Sequence, residues 1–324
     1  MAIALVLSVA AAARAGRSQA GPVSRLTIGD TFQLQSRVLE ETRHINVYLP
    51  RAYTDSPQPL PVLYMPDGGL DEDFLHVAGL LQVSTGNGTM RPFILVGIEN
   101  TQRRRDLTGP TANAEDRKIA PQVGGADAFR RFIRSELMPA IRQRYRTTVE
   151  TAIMGESLAG LFVVETLFLE PDLFDAYVAI DPSLWWHDAR LVREARTRLA
   201  RGLPRGKALY LAASRDDRDR RTEQLAGVLR EKAPAALTWH YDAMPAETHA
   251  TIYHPAALRA VRRLFGVLPL RDAPRSSAAR RMSQWWGILG AARWRYPSTP
   301  TPVLEACGES AGRTRTVIRP RLFV

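Results

Sequence analysis

Short runs of β-branched and aliphatic residues alternate along this chain with stretches whose apolar positions recur at helical spacing. Thr31–Val38 and His44–Leu49 read as an opening antiparallel pair. Pro61–Met65, Phe93–Ile98, Thr148–Met154, Ala176–Ile180, Ala208–Ala213 and Leu237–Tyr241 follow as core strands. The intervening segments Phe74–Val83, Ala126–Tyr145, Leu158–Leu169, Thr222–Lys232 and Pro255–Phe265 carry the helical pattern. Strands separated by helices in this way build a mostly parallel sheet with helices packed on its faces. The expected class is therefore α/β, with a central sheet of about eight strands. Asp106–Gly125 is polar and broken by Pro110, Pro121, Gly124 and Gly125, which predicts a surface loop.

Composition places boundaries on that body. The chain has 324 residues, 45% of them apolar, enough for one α/β domain of roughly 250 residues with appendages. We assign this domain to residues 25–270. Its charge is nearly balanced, because the net +11 is concentrated elsewhere. Residues 271–324 hold ten Arg against three acids, leaving 34 basic and 30 acidic side chains for residues 1–270. A nucleic-acid footprint requires a basic face on the folded body, so no nucleic-acid partner is expected. The Arg-rich tail is expected to be irregular around an apolar island, Ser283–Arg295, with Trp285, Trp286 and Trp294. The single cysteine, Cys307, lies in the tail, which removes intramolecular disulfides and a core Cys nucleophile from consideration. At the other end, residues 1–20 contain the apolar run Ala2–Ala13 and the small-residue site Ala13-Arg14-Ala15. This reads as a signal peptide, too short for an integral membrane span, and predicts a periplasmic or secreted protein.

The sharpest chemical signal is Ile153-Met154-Gly155-Glu156-Ser157-Leu158-Ala159-Gly160. A strand ends at Gly155 and a helix begins just after Ser157, the context of a nucleophile elbow. Such a turn is tight, so the residues two before and two after the serine must be small. Gly155 and Ala159 meet that demand, with Ala standing where the strict pattern has Gly. The free N–H groups of the helix opening at Leu158 point toward the site and can stabilise an oxyanion.

A serine hydroxyl needs a base to take its proton, and in this strand–helix arrangement the chain order is Ser, acid, His. Of the four histidines beyond Ser157, His249 lies in the loop between the last strand and the last helix, where the base belongs. His187, His240 and His254 have no such placement. The acid is expected after Ala208–Ala213, where the chain reads Ser214-Arg-Asp-Asp-Arg-Asp219. We take Asp216 as the residue that orients the imidazole. Asp217 and Glu247 are the alternatives.

Together these residues resemble the esterase family of α/β-hydrolases that includes the enterochelin and salmochelin siderophore esterases. The resemblance spans about residues 30–266. It is carried by Val47-Tyr-Leu-Pro50, Val62-Leu-Tyr-Met-Pro-Asp-Gly-Gly69, Gly97-Ile-Glu-Asn-Thr101, Arg105-Asp-Leu-Thr108 and Glu136-Leu-Met-Pro139. Gly155-Glu-Ser-Leu-Ala-Gly160, Pro182-Ser-Leu-Trp-Trp186 and Glu247-Thr-His249 continue it. It implies an α/β-hydrolase fold and an oxyanion hole formed by backbone amides of Gly68, Gly69 and Leu158. One departure stands out: Asp181 precedes Pro182-Ser-Leu-Trp-Trp186 where the family has Ser.

The expected function is a serine esterase that cleaves a small-molecule carboxylic ester through an acyl-enzyme on Ser157, siderophore-type esters among the candidates. No cofactor and no metal is called for, since the sequence has no His-Glu-x-x-His, no Cys pair and no phosphate loop. Arg103, Arg104 and Arg105 are candidates for steering an anionic substrate. An acyltransferase on the same fold, or a catalytically inactive binding module, are the rival readings.

Overall fold

We describe the protein from a computed structural model, which defines residues 22–119 and 122–267. The expected leader 1–20 and the tail 271–324, with Cys307 and its tryptophans, lie outside the described residues. Eight strands form one sheet: β1 Gly29–Ser36, β2 Glu41–Tyr48, β3 Leu60–Pro66, β4 Ile94–Ile98, β5 Thr147–Glu156, β6 Ala176–Ile180, β7 Lys207–Ser214 and β8 Leu237–Met244. Their order across the sheet is β1-β2-β4-β3-β5-β6-β7-β8. The β1/β2 and β2/β4 pairs are antiparallel and the other pairs are parallel. This is the α/β-hydrolase fold that the resemblance implies, on the mostly parallel sheet expected from the alternating pattern, with every expected strand present.

The helices are α1 Arg51–Asp55, α2 Phe74–Gly86, α3 Arg103–Leu107, α4 Ala114–Ile119, α5 Ala126–Phe132, α6 Met138–Arg144, α7 Leu158–Leu169, α8 Trp186–Ala200, α9 Arg221–Lys232 and α10 Tyr253–Phe265. A π turn over Ile133–Leu137 joins α5 to α6, so the single helix expected over Ala126–Tyr145 is continuous but locally underwound. Pro139, which has no N–H to donate back to Ser135, sits just after this turn. Among the described residues no helix is long and apolar enough to cross a membrane.

The sheet buries both faces, so its parallel strands are apolar in succession rather than alternately. On β6, Tyr177 and Ala179 pack with α5, α7, α8 and α9. Their neighbours Ala176, Val178 and Ile180 face α2 and α10. Helix α7 runs through the first of these layers and is apolar almost all round, as a helix at the centre of a core must be.

The segment Asp106–Gly125 is only in part the surface loop expected. It takes in the end of α3 and the whole of α4, and Asp106, Thr108, Thr111 and Asp116 are buried. The guanidinium of Arg43, fully buried on β2, lies 5.3 Å from the Phe129 ring and pairs with Asp106 and Glu41. Further along, the Thr111 hydroxyl donates to Asp116 Oδ2 at 2.6 Å, and the same oxygen accepts the His187 N–H at 2.9 Å. Trp186 Nε1 donates to the Gly109 carbonyl at 3.2 Å. Part of a polar segment is thus drawn inward because its polar groups find partners there, while Pro110, Ala112 and Glu115 stay exposed.

Candidate active site

Parallel strands end at one edge of the sheet, so the turns after β5, β6, β7 and β8 converge there. Ser157 follows β5 at φ 59° and ψ −120°. That backbone is strained for a residue with a side chain, at a cost on the order of 1–3 kcal/mol. It lifts the serine out of the sheet at the opening of α7. A Cβ on Gly155 would come within 2.6 Å of the Ala159 Cβ. The two small positions therefore face one another, and glycine at the first is what admits alanine at the second. The turn is tied down by Ser157 N–H to the Ile180 carbonyl, 3.1 Å, and by Ser183 N–H to the Ser157 carbonyl, 3.0 Å. The Ser157 and Ser183 hydroxyls lie 3.4 Å apart. The Pro-Ser-Leu-Trp-Trp segment thus abuts the elbow.

His249 sits in the loop after β8, with its side chain about half exposed. Its Nδ1 is 2.7 Å from Asp181 Oδ2. Asp181 is almost wholly buried at the end of β6 and also accepts the Ser214 N–H on Oδ1 and the Ser214 hydroxyl on Oδ2, both at 2.8 Å. Burial pushes this carboxyl up, but the hydrogen bonds from His249 and Ser214 outweigh it and hold it below the usual carboxylate range. The same contact raises His249 above its ordinary value, against the opposing effect of burial.

The carboxylate expected on the imidazole lies elsewhere. Asp216 does not reach the imidazole; its Oδ2 accepts the His249 backbone N–H at 2.9 Å and anchors the loop instead. Asp217 accepts the Thr222 N–H and hydroxyl and the Glu223 N–H, capping α9. Glu247 accepts from the Thr251 hydroxyl at 2.7 Å. The residue on the ring is Asp181, the one that departs from the family's pattern. Its signal in the sequence was its place directly after a core strand.

The Asp67-Gly68-Gly69 turn also differs from expectation. Gly68 N–H donates to the Ile98 carbonyl at 3.0 Å, extending the ladder between β3 and β4, and is not available to a substrate. Gly69 N–H donates to Glu72 Oε2 at 2.7 Å. Leu158 opens α7, where the first amides have no carbonyl one turn earlier to bond. Glu156, beside the serine, is mostly buried, and its Oε1 has no hydrogen-bond partner among the described residues. Burial raises its carboxyl to about 7, His249 partly offsetting the effect.

The arginine run does not project as a steering patch. Arg103 grips Asp67 with Nε at 2.7 Å and Nη2 at 2.8 Å, Arg104 donates to the Ile119 carbonyl, and Arg105 pairs with Glu41 and Asp106. His254 contacts His76, and His240 accepts from Arg263, so neither joins the site. His187 lies in a left-handed turn, tied to Asp116 by its backbone. Among the described residues no three His, Cys, Asp or Glu side chains are grouped to hold a metal ion.

Comparison with known proteins gives a consistent picture. The family described as "Putative esterase" matches residues 36–249. The ferri-bacillibactin esterase BesA of Bacillus subtilis is 30% identical over 196 residues, 55% of this chain and 67% of that protein. The siderophore triacetylfusarinine C esterase of Aspergillus fumigatus is 33% identical over 149 residues, 43% of this chain but only 49% of the fungal one. An IroE-like serine hydrolase from Shewanella oneidensis superposes with a TM-score of 0.66 at 32% identity, covering 73% of this chain and 80% of its own.

Proposed function

Since this chain belongs to the esterase family and is a carboxylic ester hydrolase of the serine type, we propose that it works through an acyl-enzyme on Ser157. His249 is the general base and Asp181 its orienting acid. The observation that carries this reading is the 2.7 Å contact of Asp181 Oδ2 with His249 Nδ1 at the sheet edge that presents Ser157. With Nδ1–H engaged by a buried carboxylate, Nε2 is the ring nitrogen left to accept a proton.

Ser157 attacks the ester carbonyl as His249 takes its proton, and the buried Asp181 charge stabilises the imidazolium that forms. The oxyanion is held by the Leu158 N–H at the start of α7, where the helix dipole adds a favourable field. His249 then protonates the leaving alcohol. A water molecule, deprotonated in turn by His249, hydrolyses the acyl-enzyme and restores Ser157.

For the substrate we propose ester-linked siderophores. BesA and the A. fumigatus relative bear the names of such esterases. Fluorophosphonate labelling, followed by peptide mass spectrometry, tests the nucleophile: the adduct is expected on Ser157 and absent from Ser157→Ala. An adduct elsewhere, or full ester turnover by a folded Ser157→Ala, would refute the reading. Turnover of a panel of simple aryl esters against ferric and iron-free siderophores tests the substrate class.

A further inference from the structure

The turn after β3 holds an anion of its own. Gly68 N–H is committed to the sheet, so Gly69 N–H is the amide of this glycine pair left for an oxyanion, and Glu72 Oε2 sits on it at 2.7 Å. This is a charge-assisted hydrogen bond of the length expected for N–H to a carboxylate. The other carboxylate oxygen, Oε1, accepts from Asn100 Nδ2 at 2.8 Å. Asn100 in turn reaches Asp67 Oδ1 at 2.6 Å, on the carboxylate that Arg103 grips. A Cβ on Gly69 would meet Glu72 Oε2 at 2.9 Å, so the carboxylate lies directly against the glycine.

We propose that Glu72 is a built-in stand-in for the oxyanion, a self-inhibitory contact on Gly69 that the substrate must displace. The inference rests on Ser157 being the nucleophile. A carboxylate oxygen and the oxyanion of a tetrahedral intermediate seek the same donor, and two negative charges cannot share it. Only one side chain must turn to open the site. Glu72 is half-buried, and the Asn100 contact on its second oxygen provides a pivot about which Oε2 can leave. At rest the hole offers the Leu158 amide alone, and with Glu72 displaced it offers Gly69 as well.

The test uses phenylboronic acid, which forms a tetrahedral anion on an active serine, against the parent, Glu72→Ala and Glu72→Gln. Removing the carboxylate should tighten inhibition by about ten- to a hundredfold, the range set by one charge-assisted hydrogen bond. Glu72→Gln, which keeps the shape and loses the charge, should move the same way by a smaller factor. kcat/KM for an aryl ester should rise with it. If Glu72 merely braced the turn, both variants would bind the boronate more weakly. Equal or weaker binding in both overturns the proposal, and Glu72→Gln alone decides it should the alanine variant not fold. Fluorophosphonate labelling of the parent separates the two levels. No adduct on Ser157 defeats the proposed function, whereas an adduct with unchanged boronate affinity defeats only the role of Glu72.

Discussion

Replacing Asp181 by Asn should abolish most of the activity without disturbing the fold, because the surrounding donors dictate how the amide must sit. Asp181 Oδ1 accepts the Ser214 N–H, while Oδ2 faces both His249 Nδ1 and the Ser214 hydroxyl. In the variant the carbonyl oxygen must stay on the backbone N–H, since an NH2 there would oppose donor to donor. The NH2 then faces His249 and the Ser214 hydroxyl, which can rotate to accept. A donor at Nδ1 forces that nitrogen to become the acceptor and puts the ring proton on Nε2, the atom required to take the Ser157 proton. A triad aspartate exchanged in this way costs about 10⁴ in kcat, or roughly 5 kcal/mol of transition-state stabilisation. Asp216→Asn is the control. It still offers an oxygen to the His249 N–H, so the loss should stay below about tenfold, one ordinary hydrogen bond. Both are read from hydrolysis of an aryl ester, with circular dichroism and thermal melting to confirm folding. Folded Asp181→Asn within tenfold of the parent, alongside a thousandfold loss for Asp216→Asn, would refute the argument.

Other outcomes follow from the same geometry. Ser157→Ala and His249→Ala should each cut kcat by several orders of magnitude, and the double variant should be little worse, because the pair acts as a unit; additive losses would contradict it. The acid limb of kcat/KM should lie above 6.5, since the Asp181 contact raises His249, and should move to lower pH in any residual activity of Asp181→Asn. Arg43→Ala should destabilise the fold by about 1.5–3 kcal/mol in urea titration, because buried Asp106 would lose one of its two arginine partners and keep only Arg105. Glu156, whose folded value of about 7 lies above its ordinary 4.5, holds an extra proton in the folded state between those limits. Its ionisation therefore costs stability as pH rises through that window. Melting temperatures should show Glu156→Gln gaining on the parent from pH 5 to pH 8, and a constant difference would rule this out.

Some of this protein was written in local pattern. All eight strands were legible, because strands buried on both faces are continuous apolar runs bounded by turn residues. The elbow was legible for a related reason: a strained serine between strand and helix tolerates only small flanking residues, and Gly155 and Ala159 announce it. His249 stands out among four histidines by its place in the loop between the last strand and the last helix. Helix α8 has no comparable local signature. It opens on Trp185-Trp186, and His187, Asp188 and Ala189 adopt positive φ with contacts from Asp116 and Asn113, so its start is set by partners about 70 residues away. The buried part of Asp106–Gly125 has the same origin, since its polar residues are satisfied by groups remote in sequence.

The carboxylate on the His249 ring shows most clearly where local reasoning ends. Strand order places the ends of β6 and β7 side by side, so Asp181 and Asp216 both lie within reach of the loop after β8. Periodicity cannot say which carboxylate meets the ring and which meets the backbone N–H of the same histidine. That is decided by the turns, which aim Asp181 inward onto Ser214 and His249 and leave Asp216 exposed at the rim. Likewise the Gly69 amide is marked by its sequence as a donor, but only the folded turn shows that Glu72 already occupies it. Residue type sets which chemistry is available at a strand end, and the directions of side chains across neighbouring strands determine which residue performs it.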